Sequence, residues 1–73
     1  MGGVAAIGEH VRLRGYTLSG AELHAAAGED EVAAEWEQLP DEVACLILTR
    51  ASYTVLAPRL HERPDLLWAV VPD

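Results

Sequence analysis

Histidines, carboxylates and serines are the side chains of this sequence that could do chemistry, and their spacing is the first thing to read. His10, His24 and His61 stand far apart. None has a second histidine or cysteine at i, i+4, the spacing that places two metal ligands on one helix face. Glu22 and His24 share one face of a short apolar segment, but two ligands on a solvent-facing edge make a weak metal site. Ser19 and Ser52 have no neighbouring histidine with an orienting acid, so neither is assigned as a nucleophile. The residues therefore predict no catalytic group, no metal and no cofactor.

One constellation has positional logic. Gly8, Glu9 and His10 follow the first apolar run, and Thr49 and Arg50 follow the third. In a parallel sheet of order 2-1-3-4 these two ends flank the crevice where strand order reverses, the usual ligand position of such folds. A dinucleotide would need G-x-G-x-x-G there, and only Gly8 is present, with Glu9 placing negative charge where phosphates would sit. A phosphoacceptor receiver would need a carboxylate at the end of the third strand. Leu48-Thr49-Arg50 supplies none. The crevice of Gly8, Glu9, His10, Thr49 and Arg50 thus suggests, as an alternative function, a degenerate receiver-like or small-ligand-binding regulatory domain.

The elements that would position these residues follow from four apolar runs: Val4–Ile7, Ala21–Ala25, Val43–Leu48 and Leu67–Val71. A helix-length segment fits between each pair. Strands that recur only after helical crossovers must lie parallel, so the predicted fold is a small Rossmann-like α/β sandwich, a four-stranded parallel sheet of order 2-1-3-4 with helices on both faces. The first helix, Glu9 to Leu18, carries Val11, Leu13 and Leu18 on its apolar side. Gly15 interrupts it, marking a loosened turn or a close approach to the sheet, and Gly20 ends it as a C-cap. Glu22 and His24 identify the second strand as an edge. Glu29, Asp30 and Glu31 complement the dipole of a second helix whose apolar stripe is Val32, Trp36 and Leu39, closed by Pro40-Asp41. The third strand, apolar on both faces, belongs in the centre. Thr49 or Ser52 caps a third helix bearing Tyr53, Leu56 and Leu60, and Pro58 kinks or restarts it before Pro64 stops it. Trp36 and Trp68 are both expected in the core, whereas Tyr16 is a candidate interface anchor.

Length and charge bound the function further. At 73 residues the chain holds one domain, with no internal repeat, and its alanine-rich core without phenylalanine is thin. A core of this kind gains stability by docking on something larger. Five arginines, no lysine and twelve acids give a net charge of −7, with the acids concentrated between Glu29 and Glu42. Nucleic acid, which needs a basic stripe, is excluded as a partner. The acidic segment reads as a solvated helix face. Cys45, alone and within the most apolar run, is expected to be a small hydrophobe and suits a reducing cytoplasm. No apolar run approaches the roughly 18 residues of a membrane span, so no direct membrane insertion is expected.

Val4-Ala5-Ala6-Ile7-Gly8, then Gly15-Tyr16-Thr17-Leu18-Ser19-Gly20, then Leu46-Ile47-Leu48-Thr49 and Val70-Val71-Pro72 together resemble the F family of small central-stalk subunits of the archaeal and vacuolar (A/V) type rotary ATPases. The Gly15 to Gly20 run, glycine, aromatic, any residue, leucine, small residue, glycine, is the most specific part. The resemblance implies a non-catalytic component of the central stalk, or rotor. Such a component binds the long coiled-coil stalk subunit and helps couple ATP turnover, in synthesis or hydrolysis, to hydrogen ion or other ion transport. It implies a cytoplasmic location peripheral to a membrane-bound complex, a protein partner and no cofactor. Docking is expected at an edge of the sheet or at the first helix around Gly15, Tyr16 and Leu18. Family members continue past the proline-ended strand into a C-terminal helix. With the sequence read to Asp73, residues 1–73 are expected to form the α/β domain of this family without that helix.

Overall fold

The computed structural model describes residues 3–17 and 20–72, with the side chains of residues 16 and 17 outside that description. Strand β1 spans Gly3–Gly8, helix α1 His10–Thr17, β2 Glu22–Ala25, α2 Glu29–Gln38, β3 Val43–Leu48, α3 Arg50–Leu56 and β4 Leu67–Val70. A 3-10 helix, Ala57–Glu62, follows α3 directly. The four strands form one parallel sheet in the order β2-β1-β3-β4, with helices on both faces. The fold predicted from the spacing of the apolar runs is the fold observed.

This order decides which face each helix covers. The chain steps one way from β1 to β2, then back past β1 to β3 and on to β4. Parallel crossovers keep one hand, so reversing the direction of growth puts α1 on one face of the sheet and α2 and α3 on the other. Alternation along the strands sorts the side chains accordingly. Ala5, Ile7, Leu46 and Leu48 point to the α2–α3 face and join Val32, Trp36, Leu39, Leu56 and Leu60 in the main core. Ala6, with Leu23 and Ile47 beside it, points the other way, toward Leu13 and Val71.

Helix α2 is anchored by the stripe its sequence announces, since Val32, Trp36 and Leu39 are all buried. Its first turn is acidic and its last turn has no basic residue. Arg63 supplies the missing cation from outside the helix. Its guanidinium donates to the carbonyls of Leu39 (2.6 Å) and Pro40 (3.3 Å) and lies 5.3 Å from the centre of the Trp36 ring. The Leu39 carbonyl closes the helix C-terminus, where such groups carry partial negative charge that a cation stabilises, and the Pro40 carbonyl just beyond it also accepts from the Val43 N–H. The Trp36 indole N–H donates to Glu62 at 3.2 Å, and Arg59 donates to the same carboxylate. The buried tryptophan is thus held at both its apolar and its polar end.

At α3 the cap is Thr49, whose Oγ1 accepts from the Ser52 backbone N–H at 3.2 Å. Pro58 lies near the start of the 3-10 helix, so the chain restarts there rather than bending through.

Several expectations are corrected. Val11, assigned to the apolar side of α1, is 65% exposed, so among the described residues Leu13 alone of the three fixes that helix to the sheet. Leu18 lies outside the described residues. A Cβ on Gly15 would meet nothing within 4 Å, so the close approach to the sheet is absent. Trp68 is 44% exposed rather than buried, because it sits on the outer strand with only Tyr53 stacked over it at 5.2 Å. Cys45 is only half-buried, because no helix covers that side of β3.

Candidate functional site

Among the described residues, the crevice at the C-terminal ends of β1 and β3 and the part of the sheet that α1 leaves bare are places that could act on another molecule. The crevice forms because β1 ends in glycine. A Cβ on Gly8 would fall 2.4 Å from Thr49 Cγ2 and 2.7 Å from its Oγ1, a separation that real side chains do not tolerate. Glycine therefore lets the end of β1 close on the start of α3. The Thr49 backbone N–H donates to the Ile7 carbonyl, and that of Ala26 to the Gly8 carbonyl, so both neighbouring strands are tied to this point.

A shallow cavity of about 310 Å³ opens above it, lined by Glu9, Arg12, Thr49, Arg50 and Ala51. The structure brings Glu9, Thr49 and Arg50 together as expected. Gly8 is buried beneath Thr49, and His10 turns to a neighbouring hollow with Glu9, Val11, Ala25, Ala26, Ala27 and Glu31. Arg12 was missed by sequence reasoning. It stands one helical turn after Glu9, a spacing that puts both side chains on one face of α1 and could have identified it. The Thr49 hydroxyl donates to Ser52 Oγ at 3.0 Å, and both residues are buried, so these hydroxyls serve the cap of α3.

At the opposite edge, His24 Nδ1 lies 3.1 Å from Glu35 of α2, while its Nε2 is 3.7 Å from Glu22, too long for a hydrogen bond. The His24–Glu35 contact fastens α2 to the β2 edge. Among the described residues no group of three histidine, cysteine or acidic side chains is placed to hold a metal ion.

The bare part of the sheet is the second place. On the α1 face, α1 lies over β1 and β2, the cluster around its Leu13 reaches Ile47 of β3, and cover thins toward Leu67 of β4. Val4 of β1 pairs with Cys45, and Cys45 with Leu67 of β4, so these three form a row across the strands. Ala6, Ile47 and Ala69 form the next row. Val4 is 43% exposed and Leu67 71%. The strip carries no charge on a chain of net charge −7. Of the docking residues expected near α1, Gly15 is exposed, the side chain of Tyr16 is not described, and Leu18 lies outside the described residues.

No family model and no curated protein matches this chain. No helix of the described residues is long and apolar enough to cross a membrane.

Proposed function

We propose that this chain is a non-catalytic docking domain for a protein helix, and that its partner is the long coiled-coil subunit of a rotary ATPase central stalk. The observation that carries the docking reading is the apolar strip in which Val4, Leu67 and Ala69 are exposed and Cys45 and Ile47 are half-buried. Three neighbouring strands span about 10 Å, which is the diameter of one helix with its side chains. A helix laid on β3 and β4 would sit beside α1 at an ordinary interhelical distance of about 8–10 Å. Acids at the start of the strands, Asp41 and Glu42 before β3 and Asp65 before β4, favour a partner helix with basic residues flanking its apolar stripe.

The narrower assignment to a rotor stalk rests on the Gly15 to Gly20 run and the strand motifs around it. In that role the domain works in the cytoplasm at the periphery of a membrane-bound complex and helps couple ATP turnover to ion movement. The rival reading, a small-ligand regulatory domain, draws support from Arg12 and Arg50 at the switch-point cavity, although Glu9 on the same wall opposes an anion.

Calorimetric titration with the coiled-coil stalk subunit tests the proposal. Saturable binding is expected, and Leu67→Asp weakens it about tenfold or more while leaving thermal stability unchanged, since one charge at the centre of an apolar contact forfeits its burial. Absence of binding by the parent chain, or full binding by Leu67→Asp, contradicts it.

A further inference from the structure

We propose that two copies of this chain pair through β4, antiparallel about a two-fold axis at Ala69, joining their sheets into one. This concerns the edge of the sheet and not its open face, and it stands without the stalk assignment. The sheet has two edges of opposite character. The β2 edge carries Glu22, a charge of the kind that keeps stray strands away, and His24, tied to Glu35. Residues 67–70 of the β4 edge, Leu-Trp-Ala-Val, are all exposed and carry no charge. Trp68 is 44% and Val70 37% exposed on one face, and Leu67 71% on the other.

Backbone polarity shows which groups await a partner. The Val71 N–H donates to the Leu48 carbonyl at 2.8 Å. Alternation along a strand then turns the N–H and C=O of residues 67, 69 and 71 toward β3 and those of Trp68 and Val70 outward. An antiparallel copy with Ala69 facing Ala69 places each Trp68 opposite Val70 of the second copy, so the two outward residues exchange about four hydrogen bonds. The side-chain match is self-complementary. Trp68 meets a β-branched residue, a favourable cross-strand pair, and the close central pair is alanine on both sides. Tyr53, stacked on Trp68, would wall the same contact.

The main acidic cluster does not stand in the way of a second copy despite the net charge of −7. The acids of α2, Glu29, Asp30, Glu31, Glu35 and Glu37, lie on the side of the sheet where His24 of β2 contacts α2. That is the far edge from β4. Pairing through β4 therefore sends the two acidic helices to opposite ends of the joined sheet, where they are separated by more than a Debye length.

Sedimentation equilibrium on the 73-residue chain is the test. Self-association to a dimer is expected, and Val70→Pro, which removes an outward N–H without touching the β3–β4 ladder, weakens it about tenfold or more with unchanged circular dichroism. Should that variant not fold, Ala69→Cys in a Cys45→Ala background replaces it. Oxidation is expected to cross-link two copies of this variant through residue 69, and Val70→Cys in the same background is expected not to cross-link. A chain that stays monomeric overturns the proposal. So does a folded Val70→Pro chain that dimerises as well as the parent, or a residue-69 cysteine that fails to cross-link. Because the measurement uses the chain alone, its outcome is separate from any binding of a coiled-coil partner.

Discussion

On one face of the sheet Trp36 is 2% exposed, its indole N–H bonded to Glu62 and its ring under Arg63, with two helices packed over the strands. On the other face a single short helix is fixed by Leu13, and Leu67 stands 71% exposed at the outer strand. Both faces are apolar in sequence. They differ because the strand order sends one crossover to one side and two to the other, and a single helix of eight residues cannot roof four strands. Stability is therefore concentrated on the α2–α3 face. A domain divided in this way can lose a side chain from the open face at little cost to folding.

Substitutions on the two faces sharpen that contrast, beginning where the loss is greatest. Trp36→Ala should cost about 3–5 kcal/mol, enough to unfold so small a domain, whereas Leu67→Ala should stay within about 0.5 kcal/mol of the parent. Urea denaturation midpoints measure both, and similar losses at the two sites would break the comparison. Gly8→Ala comes next, at about 1–3 kcal/mol, because its methyl group must displace the buried cap residue Thr49. Its effect should appear as faster hydrogen exchange at the Ser52 amide.

A smaller effect follows from pH. The Glu62 carboxyl is held below its ordinary value of 4.5, first by the hydrogen bond from the Trp36 indole and then by that from Arg59. A carboxylate lowered in the folded state adds stability that is complete above that ordinary value and is lost as pH falls through the lower folded value. Glu62→Gln should therefore flatten the acid limb of stability as pH falls below the ordinary value of 4.5, with little change near neutrality. An unchanged acid limb in thermal melts would show that the Trp36–Glu62 bond contributes nothing. One further change is expected to be a gain. Gly15→Ala, at an exposed helical position with open space for a methyl group, should stabilise α1 by about 0.5–1 kcal/mol.

The spacing of the apolar runs was enough to read parallel strands, because parallel neighbours must be separated by helix-length crossovers, and Glu22 and His24 in the second run and the wholly apolar third run placed β2 at an edge and β3 inside. The α2 stripe and the Thr49 cap were equally legible, being local patterns. What sequence could not supply is how evenly two faces are covered. Trp68 and Cys45 lie in runs as apolar as any in the chain, yet their exposure depends on where helices distant in sequence come to rest. The role of Arg63 was hidden for the same reason, although the absence of a cation from the last turn of α2 signalled that one must arrive from elsewhere. At the switch-point crevice, Glu9, Thr49 and Arg50 were readable from topology, and Arg12 from its position one turn beyond Glu9.

Amide and methyl chemical shifts of the labelled chain, followed as the coiled-coil stalk subunit is added, test most directly whether the open face is the working surface. The perturbed residues are expected to be Val4, Cys45, Ile47, Leu67 and Ala69, with those around Trp36 unmoved. Shifts confined to Glu9, Arg12 and Arg50, or spread evenly over both faces, would contradict the account.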